Sequence, residues 1–365
     1  MMKILIGGGG TGGHIYPALA LARYVKAVDS VNEVLFIGTS KGLENRIIPA
    51  AGFPLTTIPA RGFQRNFRHF VPFIADLVRG LKQSLKILKE HQPNVVLGMG
   101  GYVAAPLLIS ALLKKFPVVL HEQNVLPGMV NKRLAPYVKK VCLSFMETEK
   151  SLPRRSNVIF TGNPRSGEVA SISRNEGCRK FDLNPEDLNI LVYGGSRGAL
   201  RLNQVITAFL SDGLMPEEAY LIYVTGEIYY KDVIANLGSL PARVKIYPYL
   251  DNLPYALAAA NLAITRSGAT TLAEITALGV PAILVPSPNV VGNHQYYNAR
   301  LLSDKDAAVL IEEKDFNHIR LREEIEKLTR EPGLLEIMGS NSKMLGTTDA
   351  AEKIYRCLRE VASCT

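Results

Sequence analysis

The chain reads as an α/β protein made of two doubly wound domains, each with a parallel sheet. Two observations predict this. Short apolar runs of strand length alternate with helix candidates from one end to the other, the pattern of a parallel sheet covered on both faces. Two glycine-rich turns, Gly7-Gly8-Gly9-Gly10-Thr11-Gly12-Gly13-His14 and Gly194-Gly195-Ser196-Arg197-Gly198, each join such a run to a helix. A length of 365 residues gives room for about two domains, each able to bury its own core.

In the first half the strand candidates are Lys3 to Ile6, Val34 to Ile37, Val95 to Leu97, Val118 to Leu120, Lys140 to Leu143 and Val158 to Phe160. The first helix is expected to begin near Pro17, a residue suited to a first turn, and to continue through Ala18-Leu19-Ala20-Leu21-Ala22. Residues Val95 to Leu113 carry no charged side chain, but Gly98, Gly100, Gly101 and Pro106 divide them into strand, turn and helix instead of a membrane span. In the second half the strands are Ile190 to Tyr193, Tyr220 to Val224, Val244 to Tyr247, Leu262 to Thr265, Ala282 to Val285 and Ala308 to Ile311, with a helix from Leu202 to Leu210. The domain boundary is expected at Thr161-Gly162-Asn163-Pro164, followed by a polar linker, Ser171 to Lys180, which gives domains 1–162 and 163–345. Open α/β sheets bind ligands beyond the carboxyl ends of their strands, so the two ligand edges are expected to face a central cleft.

Composition narrows the function classes. Hydrophobic residues make up 47% and charged residues 21%, as in a soluble globular protein, and the net charge of +9 favours an anionic partner: nucleic acid, nucleotide phosphates or an anionic membrane surface. The cysteines, Cys142, Cys178, Cys357 and Cys364, show no CxxC spacing and predict neither a zinc motif nor a disulfide framework. The first residues enter a strand directly, with no signal-peptide pattern, so an intracellular home is expected.

Glycine runs let backbone N–H groups approach an anion, and the helix after them adds its positive end. Gly8-x-Gly10-x-x-Gly13 also fits the dinucleotide fingerprint, but the second strand ends in Ile37-Gly38-Thr39 without the acid that holds a ribose, which argues against NAD. His14, at the mouth of the first turn, is a candidate for acid–base work or phosphate contact, or else a packed helix-start histidine. His121-Glu122-Gln123-Asn124 and Met99-Gly100-Gly101-Tyr102 follow strands on the same edge and are read as ligand-facing; a loop held by its own side chains is the alternative for the first. In the second half, Thr265 to Glu274 passes from strand through Gly268 into a helix. Its hydroxyls and first-turn N–H groups suit an anion or sugar, and the Glu274 carboxylate suits a ribose diol or simply complements the helix dipole. Asn293-His294-Gln295 offers donors for sugar hydroxyls. There is no GxxxxGK[ST], HExxH or GxSxG pattern. The basic stretch Arg61 to Lys89, interleaved with Phe63, Phe67, Phe70, Phe73 and Ile74, suits a surface that dips rings into an anionic bilayer; a nucleic-acid groove and an ordinary amphipathic helix are the alternatives.

Taken together, Gly8 to Ala18, Gly98-Met99-Gly100-Gly101-Tyr102, His121 to Asn124, Gly162-Asn163-Pro164, Gly194 to Gly198 and Arg266-Ser267-Gly268-Ala269 with Glu274 resemble the MurG family of glycosyltransferases from the first strand to about Ala299. The resemblance implies a GT-B fold. It also implies inverting, metal-independent and cofactor-free transfer of N-acetylglucosamine from UDP-GlcNAc to the C4 hydroxyl of the muramoyl sugar of lipid I, giving lipid II for peptidoglycan. The enzyme would work as a peripheral protein on the cytoplasmic face of the membrane, without nucleic acid and beside other cell-wall synthesis proteins. It further implies an N-terminal acceptor domain joined by a C-terminal helix, 346–365, and a C-terminal donor domain. His14 or Glu122 is the implied base. Thr11, Gly12, Gly13, Asn124, Arg165, Ser196, Leu250, Ala269, Thr270, Thr271, Glu274, His294 and Gln295 are the implied donor contacts, Leu250 through its backbone to uracil. Gly10, Gly13, Gly101 and Tyr102 are implied for the acceptor diphosphate. Arg197 and His294 stand where the family often has Gln, and Arg165 follows Pro164 directly where the phosphate-pairing Arg is often one residue later. A UDP-GlcNAc epimerase or a glycolipid glycosyltransferase on the same fold is the alternative reading.

Overall fold

A computed structural model describes residues 1–62, 67–195, 198–238 and 242–363, the side chains of residues 67–69 excepted. The chain forms two compact units, Met1–Arg165 with Thr348–Thr365, and Ser166–Thr347.

The first unit runs β1 (Lys3–Gly7), α1 (Gly12–Val28), β2 (Glu33–Gly38), α2 (Glu44–Ala50), β3 (Leu55–Thr57), α3 (Phe67–His91), β4 (Val95–Gly98), α4 (Ala105–Leu113), β5 (Val118–Glu122), α5 (Met129–Leu134), β6 (Lys140–Leu143) and β7 (Val158–Phe160). Its sheet is seven-stranded in the order β3-β2-β1-β4-β5-β6-β7, and each pairing is parallel. The chain builds outward from β1 in one direction, then returns to lay β4 on the other side of β1. That reversal puts the turns after β1 and β4 side by side: Gly7 is in register with Gly98, and the Met99 N–H donates to Gly7 O at 2.8 Å. The strand β3 is an addition to the expected set; three half-exposed residues at a sheet edge carry no apolar run to announce them.

The chain then continues with α6 (Arg165–Ala170), α7 (Arg174–Phe181), β8 (Leu188–Tyr193), α8 (Leu200–Ser211), β9 (Ala219–Val224), α9 (Tyr230–Leu237), β10 (Val244–Tyr247), α10 (Leu253–Ala259), β11 (Leu262–Thr265), α11 (Ala269–Leu278), β12 (Ala282–Leu284), α12 (His294–Ser303), β13 (Ala308–Leu310), α13 (His318–Arg330), α14 (Leu334–Leu345) and α15 (Ala350–Ser363). The second sheet is six-stranded, β10-β9-β8-β11-β12-β13, and it reverses between β8 and β11, where Tyr193 is in register with Thr265. The stretch read as a polar linker is instead mostly α7. Ser173 and Glu176 close a capping box at its start, and Gly177, Cys178 and Phe181 are buried on its inner face. Gly177 is required there, because a Cβ would lie 2.4 Å from Tyr255 O on α10.

The last helix belongs to the first unit. Ile354, Leu358 and Val361 on one face of α15 enter the same core as Ile4, Ile6, Leu21 and Val25, each such burial worth about 1.5–3 kcal/mol. Around that stripe, Asn32 Nδ2 donates to the Tyr355 hydroxyl at 3.1 Å, Lys140 pairs with Glu360 at 2.8 Å, and Cys142 and Cys357 meet at 3.8 Å between sulfurs. Among the described residues no helix is long and apolar enough to cross a membrane.

Candidate functional site

The turn after β1 is built around a carboxylate that sequence reasoning missed. Glu44, the first residue of α2, is fully buried. It accepts the Gly10 N–H at 2.9 Å, the Thr39 N–H at 3.0 Å and the Thr39 hydroxyl at 2.8 Å. Three glycines make the space it fills: a Cβ on Gly9, Gly38 or Gly42 would lie within 2.7 Å of its side chain. Burial works to raise its pKa, but these hydrogen bonds outweigh that and hold the carboxyl below its ordinary value. The end of β2 thus has an acid beside it in space, from α2, whose oxygens are taken up by Gly10 and Thr39. One expectation is corrected. The Gly10 N–H, expected on an acceptor diphosphate, is committed to this internal anion. Residues 11–14 form the outer side of the turn: Thr11 and Gly13 are exposed, His14 is half-buried, and Gly12 is buried beneath them.

His14 sits in the first turn of α1, whose N-cap Thr11 makes no side-chain cap bond. Instead the Thr11 hydroxyl lies 3.2 Å from His14 Nδ1. The other wall is the turn after β4, where Gly100 (φ +92°) and Gly101 (φ +78°) adopt a backbone conformation that side chains disfavour. A Cβ on Gly100 would stand 3.1 Å from His14 Nε2, and one on Gly101 would stand 3.4 Å from Nδ1, so both glycines make room for the imidazole. Tyr102 is partly exposed beside Gly10 and Gly62.

Residues 121–123 turn inward, contrary to their ligand-facing reading, while Asn124 is half-buried. His121, Glu122 and Gln123 are buried. Glu122 accepts from Asn124 N–H at 3.0 Å, from Gly128 N–H at 3.0 Å and from Asn131 Nδ2 at 2.8 Å. Burial raises its pKa against those bonds. A carboxylate so enclosed anchors the 121–131 loop, and the expectation that Glu122 serves as the base is corrected on that ground. The Asn124 carbonyl accepts from the Thr148 hydroxyl at 3.0 Å, which fixes its backbone beside that loop. His121 Nδ1 faces Gln123 Nε2 at 3.0 Å, so its proton lies on Nε2, which donates to Gly162 O at 3.0 Å. Burial holds its pKa down at about 4, and the ring is neutral. Just beyond Gly162, the Arg165 guanidinium lies over the Tyr16 ring at 5.6 Å, and the Arg165 backbone N–H donates to Asn163 Oδ1 at 3.1 Å. These contacts keep Arg165 with the first unit, so the crossing falls a few residues beyond the expected one.

In the second unit, Ser196 and Arg197 lie outside the described residues. Two of the glycines around them are packed against backbone: a Cβ on Gly194 would meet Ala199 N at 2.6 Å, and one on Gly198 (φ +71°) would meet Thr225 O at 2.2 Å. Neither α8, after Ala199, nor α11, after Gly268, has a side-chain cap bond at its N-terminus. By contrast α7 and α13 are capped by Ser173 and Asn317. Side-chain caps are the exception among the described helix starts, and uncapped starts leave first-turn N–H groups without a side-chain acceptor. Ala269, Thr270 and Thr271 form the first turn of α11. Glu274, 8% exposed, lies one turn further and close enough to Tyr193 for its charge to add to the burial that raises the phenol's pKa. The fold also brings Gln295 to this place: its carbonyl accepts from Ser267 Oγ at 2.8 Å, and its Oε1 accepts from Ser287 N–H at 2.9 Å. His294 Nδ1 is 2.9 Å from Val291 O, which turns Nε2 outward. Leu250 O accepts from Leu253 N–H at 3.3 Å. Arg266 holds the strand ends together, donating to Val285 O at 3.0 Å and pairing with Glu313.

Two doubly wound parallel-sheet units, each with a glycine turn at its sheet reversal, have the architecture of a GT-B fold. A crystal structure of Acinetobacter baumannii MurG matches with a TM-score of 0.78 at 27% identity, covering 99% of this chain and 100% of that one. A UDP-GlcNAc 2-epimerase from Neisseria meningitidis, solved with UDP-GlcNAc, shares the fold alone, with a TM-score of 0.69 at 15% identity over 98% of this chain and 100% of that one. The glycosyltransferase family 28 N-terminal domain matches residues 4–143 and the family 28 C-terminal domain residues 189–354. Two relatives, from Halalkalibacterium halodurans and Acetivibrio thermocellus, are named UDP-N-acetylglucosamine--N-acetylmuramyl-(pentapeptide) pyrophosphoryl-undecaprenol N-acetylglucosamine transferase. The first is 44% identical over 99% of this chain and 100% of its own length, the second 41% over 99% and 98%. The chain belongs to the MurG family of glycosyltransferases.

Proposed function

We infer that the protein transfers N-acetylglucosamine from UDP-GlcNAc to the C4 hydroxyl of the muramoyl sugar of lipid I, forming lipid II. The observation that carries this is identity of 44% along essentially the whole chain to a relative named for that transfer. The second unit takes the donor. The diphosphate meets the open starts of α8 and α11, Glu274 accepts from the ribose, and His294 and Gln295 hold sugar hydroxyls. The first unit takes the acceptor at Gly13, His14, Gly101 and Tyr102. Transfer is a single inverting displacement. The acceptor oxygen bonds to the anomeric carbon as the bond to the β-phosphate oxygen breaks, the electron pair leaves with UDP, and the acceptor proton passes to His14. Helix N-termini stabilise the departing charge, so the reaction is read as metal-independent. The expected result is UDP release that requires lipid I and persists in EDTA. Equal release without any lipid acceptor overturns the transfer, and an altered free sugar beside the UDP identifies an epimerase.

The protein also works as a peripheral enzyme on the cytoplasmic face of an anionic membrane. What supports this is the start of α3, where Phe70, Val71, Ile74 and Val78 are each at least 40% exposed, with Arg79, Lys82, Lys86 and Lys89 exposed further along. Arg61 is paired with Asp76 at 3.0 Å and is not counted in the patch; Phe63 and Arg65 lie outside the described residues. Replacing Phe70 and Ile74 by Ser should weaken sedimentation with anionic vesicles. Wild-type binding by that variant removes the patch from the account.

A further inference from the structure

Gln123 has a role that neither its own loop nor the donor site explains. Its side-chain nitrogen donates twice, to Met99 O at 2.8 Å and to His121 Nδ1 at 3.0 Å, and those acceptors fix which end of the amide is nitrogen. The oxygen at the other end is buried and has no donor among the described residues. A buried carbonyl left without a donor is destabilising, so a donor that reaches it in some state of the protein is expected. The point in space that a Gly100 Cβ would fill is 3.1 Å from His14 Nε2 and 3.3 Å from Gln123 Oε1, so the two atoms border one small gap that only a glycine leaves open.

We propose that Gln123 is a positioning residue for His14: its carbonyl receives the Nε2 proton of the imidazole and leaves Nδ1 as the atom that takes a proton. The Thr11 hydroxyl, 3.2 Å from Nδ1, then donates into that lone pair and marks where an incoming hydroxyl binds. When the acceptor O–H bond breaks and its proton moves to Nδ1, the ring becomes a cation, and the Nε2–H bond to Gln123 strengthens because its donor is charged. The other end of the network is equally fixed. His121 is neutral, its Nδ1 accepts from Gln123, and its Nε2 donates to Gly162 O. A hydrogen-bonded series thus runs from the backbone just before the crossing between units to the side chain at the mouth of α1. The identity of the acceptor hydroxyl rests on the transfer reading above, whereas the orientation of the ring does not.

Nitrogen-15 NMR of histidine-labelled full-length protein tests this without any turnover, the His14 signals being identified by their loss in His14→Ala. The expected result is a neutral His14 with its proton on Nε2. A proton on Nδ1 overturns the proposal even if lipid II is made. In Gln123→Met the expected results are a mixed tautomer at His14 and a fall in kcat on the order of ten- to a hundred-fold, with UDP affinity, a property of the second unit, unchanged. An Nε2–H tautomer and a kcat both unmoved in that variant also overturn it. Loss of UDP release in every form of the protein, with the tautomer as expected, fails the transfer reading and leaves the positioning intact.

Discussion

The two glycine turns share a sequence pattern and differ in what fills the space behind them. After β1 the filling is a carboxylate: Glu44 occupies the hollow left by Gly9, Gly38 and Gly42 and takes the Gly10 N–H. After β8 the filling is backbone, with Gly194 against Ala199 and Gly198 against the Thr225 carbonyl. A turn that already holds an anion is a poor cradle for a second at the same N–H. A turn packed on neutral backbone leaves its helix start to the ligand. Glycine in the first case admits a side chain from below, and in the second it admits close approach of main chain. The same motif therefore closes over a side chain in one unit and over main chain in the other.

The largest expected effect separates chemistry from nucleotide binding. His14→Ala should lower kcat by about 10²- to 10⁴-fold with UDP affinity unchanged, whereas Glu274→Ala should weaken UDP with a smaller change in kcat. If both variants lose both properties alike, the division of labour between the turns is wrong. Next, Gly198→Ala should weaken UDP binding by roughly 30-fold or more, about 2 kcal/mol, because its Cβ has backbone 2.2 Å away at positive φ. Gly10→Ala meets nothing closer than 3.9 Å, so it bears only the backbone strain and should leave UDP calorimetry unaltered.

A comparable effect lies in pH. His121, neutral in the fold with a pKa of about 4 against an ordinary 6.5, binds a proton more readily when unfolded. Its contribution is fully present above pH 6.5 and is lost as the pH falls toward 4, a change of about 3 kcal/mol in the first unit. Urea titrations by circular dichroism at pH 7 and pH 5 should show this loss, and His121→Gln should flatten it; an equally steep loss in the variant assigns the effect elsewhere. The smallest change is Glu44→Gln, in which a carboxamide nitrogen opposes the Gly10 or Thr39 donors at a cost of about 1–3 kcal/mol. The lowered pKa of Glu44 gives stability that is present above the ordinary carboxyl value and lost as the pH falls through the lowered one. The gap between wild type and variant should therefore narrow in acid. A variant as stable as wild type at neutral pH would mean that the carboxylate is not what fills the turn.

Much of the site was legible because glycine and proline write backbone requirements into the sequence. The turns at Gly7, Gly100, Gly194 and Gly268 lie at strand ends as read, and the strand candidates each recur in the sheets. What was not legible came from through-space partners. Four polar residues at 121–124 look the same on paper whether they face a ligand or each other, and only Gly128 and Asn131, brought round by α5, decide that Glu122 faces inward. The polar surface of Ser171 to Lys180 hid a helix whose inner face is a glycine, a cysteine and a phenylalanine.

By itself the sequence determined two doubly wound parallel-sheet domains, the strand ends that carry ligand groups and the family, because periodicity and glycine placement are local properties of the chain. Only the tertiary structure decided that Glu44 belongs to the first turn and that the Gln123 carbonyl and the His14 imidazole border one gap beside Gly100. A buried polar atom takes whichever partner lies within about 3 Å, and that distance is set by how distant elements pack.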